Sequence, residues 1–184
     1  VLVGCSVPTK ELTQKDGKFY YKEKLFNGKS FSKYKNGQFK SEENYKDGKP
    51  NGLWKYWYEN GQLYEESNYK DGKRDGLFKR GYRNGQLIYE GNYKDGKKDG
   101  LWTSFYENEQ VKEAINYKDG KEDGLTKRYY LNGQLAFKGN YKDGLQEGTF
   151  EEYQENGELI LPPINTDKLV RRQGIFYEIN SIIP

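Results

Sequence analysis

The sequence predicts an all-β protein: an elongated, twisted antiparallel meander of repeated β-hairpins that forms an open, single-layer sheet. Three observations predict it. Asn-Tyr-Lys-Asp-Gly recurs at Asn44, Asn68, Asn92, Asn116 and Asn140, always 24 residues apart, and a fixed period of that length marks a repeat architecture. A second signal, Asn-Gly, falls at Asn36, Asn60, Asn84, Asn132 and Asn156, with Asn108-Glu109 as a lapsed copy. Between the two signals lie aromatic-rich stretches that alternate with period two, as half-buried strands do.

Each 24-residue unit therefore reads as two strands. Asn-Gly and Asp-Gly are favoured in two-residue type I′ turns, whose central residues both need positive φ, so both signals are expected to close hairpins of that kind. A turn at Asn60-Gly61 sets Gly52 against Tyr69, Trp54 against Ser67, Tyr56 against Glu65 and Tyr58 against Leu63. One repeat on, Gly76 meets Tyr93, Phe78 meets Gly91, Arg80 meets Tyr89 and Tyr82 meets Leu87. In the next, Gly100 meets Tyr117, Trp102 meets Ile115 and Tyr106 meets Val111. A ring over glycine shields bare backbone, and bulky-against-small pairs pack closely. The opposite face pairs Lys55 with Glu66, Lys79 with Glu90, Leu53 with Asn68 and Leu77 with Asn92, and reads as wet. Because the period is even, every column stays on its own face. At a strand spacing of about 4.8 Å, some six repeats extend over roughly 55–60 Å.

Composition agrees with an unusual core. Only about a fifth of the 184 residues are Leu, Ile, Val or Phe, and mean hydropathy is −1.16, near the level of disordered chains. Yet there are 30 aromatic residues, 18 of them tyrosine, so amphipathic rings are expected to replace the aliphatic interior. Net charge is +3, and the charges alternate in sign along the chain. That pattern argues for a solubilising surface over a nucleic-acid footprint. With no histidine and a single cysteine, the usual catalytic dyads, triads and Cys-rich metal sites lack their parts. Asp-Gly-Lys-Arg-Asp-Gly has Lys73 where a calcium loop needs Asp or Asn. No cofactor, no metal and no catalytic residue is expected.

The N-terminus, Val-Leu-Val-Gly-Cys-Ser-Val-Pro, carries a resemblance of its own. Leu2-Val3-Gly4-Cys5 resembles the lipobox of bacterial lipoproteins, in which the signal peptide is cut before a cysteine that becomes diacylated. The resemblance implies lipidation at Cys5, and Ser6 is similar to the pattern sorted to the outer membrane or cell surface in a Gram-negative cell. The chain has no methionine and is expected to have lost a leader upstream of Val1. Residues 1–4 then read as a signal-peptide remnant, 5–15 as the tether of the anchor, and 16–161 as the repeat array. Residues 162–184 read as a degenerate C-terminal cap, after a break at Pro162-Pro163.

Gly-Leu-Trp-Lys-Tyr-Trp-Tyr-Glu-Asn-Gly-Gln-Leu, from Gly52 to Leu63, resembles the MORN-repeat variant of many bacterial proteins, and the likeness recurs from about Phe19 to Leu161. Thr126, Thr149, Glu109 and Leu145 depart from it. The resemblance implies an array of hairpins used for binding or scaffolding; bacterial members are often labelled as toxin–antitoxin antitoxins. The reading that follows is a non-enzymatic binding or scaffold protein of the bacterial cell envelope, lipid-anchored, holding an unidentified protein partner on its aromatic face. Trp54, Tyr56, Tyr58, Phe78, Tyr82, Trp102 and Tyr106 are the candidate contacts. An antitoxin-type cytosolic partner and a cell-wall glycan binder are the alternatives.

Overall fold

The computed structural model describes residues 5–165, 169–172 and 175–178. Residues 1–4, read as a leader remnant, lie outside them, as does part of the expected C-terminal cap. The chain divides into two compact units, Val1–Asp99 and Gly100–Pro184. Both are β-structures, and the described residues contain no α-helix, only a 3-10 turn at Thr9–Glu11.

The N-terminal unit holds β1 (Cys5–Pro8), β2 (Thr13–Lys15), β3 (Lys18–Tyr21), β4 (Lys24–Leu25), β5 (Gly28–Lys33), β6 (Phe39–Lys46), β7 (Lys49–Pro50), β8 (Gly52–Trp57), β9 (Leu63–Lys70), β10 (Lys73–Gly81) and β11 (Leu87–Lys94). From β5 to β11 each strand pairs antiparallel with the next, except that β7 is a short spur on β6 and β8 follows in the main order. Residues 16–25, expected as the start of the array, instead join Thr13–Lys15 of the expected tether in a separate three-stranded sheet of β2, β3 and β4. The expected tether is also folded. β1 lies parallel to β5, with Cys5 opposite Gly28 and Pro8 opposite Phe31. The reason is apolar: Val7 and Phe26 are buried with Tyr45 and Trp54, and Leu12, Phe19 and Tyr21 pack around them. That cluster is the nearest thing in this unit to an ordinary core.

β12 (Lys97–Phe105) carries the chain into the C-terminal unit. There follow β13 (Val111–Lys118), β14 (Lys121–Tyr129), β15 (Leu135–Lys142), β16 (Leu145–Tyr153) and β17 (Leu159–Asn165), each antiparallel to its predecessor from β12 onward. A separate hairpin joins β18 (Leu169–Arg172) to β19 (Ile175–Glu178). The expected break at Pro162-Pro163 does not occur. β17 runs through both prolines, and its register on β16 slips there, from Glu152 opposite Leu161 to Phe150 opposite Ile164. β17 ends the strand order, and the last strand with an irregular register is where a sheet tolerates residues that lack an N–H.

The expected register holds along most of each hairpin. Gly52 faces Tyr69, Trp54 faces Ser67 and Tyr56 faces Glu65; Gly76 faces Tyr93 and Phe78 faces Gly91; Gly100 faces Tyr117 and Trp102 faces Ile115. It fails beside the Asn-Gly loops. Trp57, not Tyr58, faces Leu63, and Tyr64 is left over as a bulge. Likewise Gly81 faces Leu87 and Phe105 faces Val111, in place of Tyr82 and Tyr106. The loop is the cause. The Tyr58 N–H donates to the Gln62 carbonyl at 2.8 Å and the Gly61 N–H to the Tyr58 carbonyl at 2.9 Å. Gly61 has φ +84°, whereas Asn60 is not among the residues with positive φ. This is a three-residue loop, a type I turn ending in a left-handed glycine, and not the expected type I′ turn. The Asp-Gly turns are as expected: Asp71 and Gly72 have φ of 50° and 89°, and Lys70 faces Lys73 across them.

The lapsed copy keeps the loop geometry. Glu109 takes the glycine position with φ +68°, and its N–H donates to the Tyr106 carbonyl at 3.0 Å. A side chain in that conformation costs about 1–2 kcal/mol. Glu109→Gly is therefore expected to stabilise the protein by about 1 kcal/mol in urea unfolding, and Gly61→Glu to destabilise it by a similar amount. Equal midpoints for parent and Glu109→Gly would contradict this loop assignment.

Candidate functional site

The repeats are fastened to one another at their Asn-Gly ends. The Tyr34 hydroxyl donates to the Trp57 carbonyl at 2.7 Å and the Tyr58 hydroxyl to the Gly81 carbonyl at 3.0 Å. In the C-terminal unit, Tyr106 donates to the Tyr129 carbonyl and Tyr130 to the Tyr153 carbonyl, both at 2.7 Å. Each bond reaches 23 residues ahead, into the following repeat. The loop asparagines work in parallel. The Asn36 amide donates to the Glu59 carbonyl, Asn60 to Arg83, Asn108 to Leu131 and Asn132 to Glu155. Their side-chain oxygens meanwhile accept from the N–H two residues on, as in Gln38 to Asn36 and Gln62 to Asn60. Such turns hold the loop without strand pairing.

The expected contact residues divide by burial. Trp54, Phe78 and Trp102 are 9 %, 3 % and 6 % exposed, so their rings have little area left for a partner, which corrects the expectation for these three. Trp54 lies between Tyr45 and Tyr69, at ring distances of 5.2 and 4.7 Å. Phe78 stacks on Tyr89 at 5.9 Å and meets the edge of Tyr93 at 5.5 Å. Trp102 meets Tyr117 at 6.4 Å. Tyr56, Tyr58, Tyr82 and Tyr106 are half-buried and keep ring area in reach of solvent. Within the N-terminal unit the structure brings Tyr56 against Trp54, at 6.3 Å, while Tyr58 contacts Tyr64 at 5.1 Å and carries Arg83 at 5.4 Å.

The aromatic face also holds charge, in bonds that the spacing of the sequence did not show. Glu65 is 8 % exposed and accepts a 2.6 Å bond from the Arg74 guanidinium. Arg74 also donates to the Tyr69 hydroxyl at 3.3 Å and lies 4.7 Å from the Phe78 ring centre. Arg80 donates to the hydroxyls of Tyr89 and Tyr64 and stacks on Tyr64. Nearer the N-terminus, the buried Glu43 accepts from Ser30 at 3.1 Å and from Tyr45 at 2.8 Å, and Thr9 donates to Ser30 at 3.0 Å. Burial first, and the Glu43 carboxylate second, push the Tyr45 and Tyr56 hydroxyls well above the ordinary phenol range. In the C-terminal unit the fully buried Thr126 replaces a large ring. Phe137 fills the space by leaning over Gly139, where an added Cβ would come within 2.8 Å of it. The signal for these residues was present: Glu43, Glu65, Arg74 and Arg80 fall on the aromatic parity.

The other face is an ion-pair ladder, with Lys29 to Glu42 at 3.5 Å, Lys55 to Glu66 at 3.0 Å and Lys79 to Glu90 at 3.3 Å. Among the described residues no group of three His, Cys, Asp or Glu is placed to hold a metal ion.

The MORN repeat variant matches this chain five times in succession, at residues 26–47, 50–71, 74–95, 98–119 and 122–143. Together these cover more than half of the sequence, and the chain belongs to the MORN-repeat variant family. It is a repeat-based binding scaffold. No curated protein sequence matches it. Among solved structures, it is similar to two of TarM, the first from S. aureus. One, a mutant in complex with fondaparinux, alpha-GlcNAc-glycerol and UDP, gives a TM-score of 0.34 at 10 % identity, covering 52 % of this chain and 19 % of that one. The other gives 0.32 at 12 % identity, covering 50 % and 20 %. The chain spans about a fifth of the length of these structures.

Two tests follow from the buried charges. Arg74→Met strands the Glu65 carboxylate and should cost about 2 kcal/mol, below the 3–5 kcal/mol of a fully buried pair because Arg74 is itself partly exposed. Adding Glu65→Met should recover most of that loss in urea unfolding; a double variant no more stable than the single one would argue against the pairing. The Tyr45 phenol has a folded pKa above its unfolded value of 10.0. Its contribution is therefore complete below pH 10 and is lost as the unfolded chain ionises above it. Stability should fall as pH rises above about 10, and less steeply in Tyr45→Phe.

Proposed function

We propose that this protein is a non-enzymatic binding scaffold of the bacterial cell envelope, lipid-anchored at Cys5, that holds a protein partner on the tyrosines its repeats leave half-exposed. One observation carries the binding role. The tyrosine hydroxyls that join the repeats, Tyr58 and Tyr106 among them, are tied to backbone carbonyls, which fixes the rings in place. A ring that is already immobile loses little entropy when a partner covers it, and tyrosine is enriched among the residues that dominate interfaces. The family supports a binding module. The lipobox-like Leu2-Val3-Gly4-Cys5 supports the anchor.

Two measurements test the proposal. Protein made with its native leader should partition with membranes, and Cys5→Ser should release it; an unmodified thiol at Cys5 by mass spectrometry would end the anchor reading. In pull-downs from cell envelopes, Tyr58→Ala with Tyr106→Ala should weaken capture of the partner at least tenfold, about 1.4 kcal/mol or more. Lys55→Ser with Lys79→Ser, on the ladder face, should leave capture unchanged. Loss with the lysine pair and not with the tyrosine pair would move the partner to the ladder. Circular dichroism on each variant separates lost binding from lost folding.

A further inference from the structure

We propose that the ladder face carries, at the Asn-Gly end of β5, β6 and β8, a binding site for an acidic oligosaccharide. Three rings mark it. Phe31 on β5 meets the edge of Phe39 on β6 at 6.2 Å, and Phe39 meets Trp57 on β8 at 6.2 Å. These strands are neighbours in the sheet, so the rings form a row across it. Phe31 lies two residues from Lys29 and Trp57 two from Lys55, which puts both on the face of those ladder lysines. Phe31 stands where later repeats have Lys55, Lys79 and Lys127. Its cross-strand neighbour Glu42 pairs with Lys29 instead, at 3.5 Å. None of the three rings belongs to the buried cluster around Phe26, and Phe39 is 41 % exposed. The Trp57 indole N–H donates to no protein group among the described residues, whereas that of Trp54 donates to the Asn44 carbonyl at 2.8 Å.

Beside Phe31 the row opens into a cavity of about 330 Å³, lined by Pro8, Thr9, Lys10, Phe31, Ser32 and Lys33. It exists because β1 stops early. Pro8 lies opposite Phe31, and the chain then turns away at Thr9–Glu11, leaving Ser32 and Lys33 without a strand on that side. The volume is near the lower end for small-molecule pockets. No acid lines it, and neither Lys10 nor Lys33 makes an ion pair among the described residues. Lys33 also sits 4.8 Å from the centre of the Phe39 ring, so it borders both the cavity and the row. Two ammonium groups without an anionic partner, set beside apolar rings, are complementary to an anionic ligand.

The geometry selects among anionic ligands. A peptide strand needs a longer open edge than Ser32 and Lys33 offer. A run of stacked bases needs successive ring faces, but Phe31 and Phe39 are inclined by 80° and Phe39 and Trp57 by 45°. Sugar rings turn relative to one another along a glycan, and their C–H faces rest on aromatic rings of differing inclination. Sugar hydroxyls would accept from the Trp57 N–H, and carboxylates would meet Lys10 and Lys33. From β1 to β8 is three strand spacings, or about 14 Å, which gives room for a short oligosaccharide. The site does not depend on the protein partner proposed above, which uses the opposite face.

The test titrates the full chain calorimetrically with tetrasaccharides of galacturonate, mannuronate and hyaluronan. Each is compared with its methyl ester, which keeps the rings and removes the charge. At least one acid should bind about tenfold or more tightly than its ester, and more weakly as salt is raised. Bound sugar should also shield tryptophan fluorescence from acrylamide, an effect absent in Trp57→Phe, because Trp54 and Trp102 are already buried. Phe39→Ala and Trp57→Ala should each weaken binding about fivefold or more, and Lys10→Gln with Lys33→Gln about tenfold. Lys70→Gln with Lys79→Gln removes the same charge elsewhere and should change binding less than about twofold. Circular dichroism checks folding; Phe39 is exposed, so Phe39→Ala still decides the matter if Trp57→Ala does not fold. No binding of any acid by folded protein, equal binding of acid and ester, or equal losses from the two lysine pairs would each overturn the inference. Equally tight binding of oligothymidylate or polyglutamate would also overturn it, making the site one for nucleic acid or for polyanions at large.

Discussion

Everything in these units depends on how one repeat is fastened to the next. A sheet with so few aliphatic residues cannot rely on a thick hydrophobic interior, and strand pairing alone leaves its loops loose. The tyrosine hydroxyl that reaches a carbonyl 23 residues ahead supplies a bond and a covered ring in one residue. One such hydrogen bond contributes about 1 kcal/mol net. Its weight comes from repetition, because the asparagine beside it reaches the next loop in the same way. Substituting phenylalanine would keep the ring and lose the bond, which is why this column is tyrosine while the buried column beside it accepts Trp, Phe, Thr or Ser.

The parity of the sheet is preserved by two irregularities that cancel. The Asn-Gly loop is one residue longer than a type I′ turn, which alone would invert every side chain on the returning strand. Tyr64 bulges out one step later and restores the register, so Tyr56 still faces Glu65. The same slip follows Arg80, Ser104 and Arg128. A loop and a bulge that compensate each other must change together.

What could be read in the sequence follows from which quantities are local. The 24-residue period and the two-residue alternation placed Trp54 against Ser67 and Lys55 against Glu66 because both depend on spacing alone. The Asn-Gly turn type was not legible, since the same dipeptide serves a type I′ turn and a type I turn ending in glycine. The difference lies in the φ of Asn60. Burial of Trp54, Phe78 and Trp102 was hidden for another reason: it depends on tyrosines from adjoining strands closing over each ring. Glu43 and Glu65 look like solvated acids until Ser30, Tyr45 and Arg74 are seen around them. The N-terminal segment was read by its likeness to a tether, and the pattern of Val7, Leu12, Phe19 and Phe26 was too sparse to announce a small core.

The parallel pairing of β1 with β5 has a mechanical meaning. Strand β1 enters the sheet at Gly28 and runs inward to Phe31. A pull on the chain at Cys5, directed out of that edge, acts along the strand axis and loads its pairings at the same time. Had the segment been antiparallel, the same pull would peel them one after another. With Val7 seated among Phe26, Tyr45 and Trp54, sliding β1 outward would also drag an apolar side chain into water. The first strand is oriented to bear tension in shear.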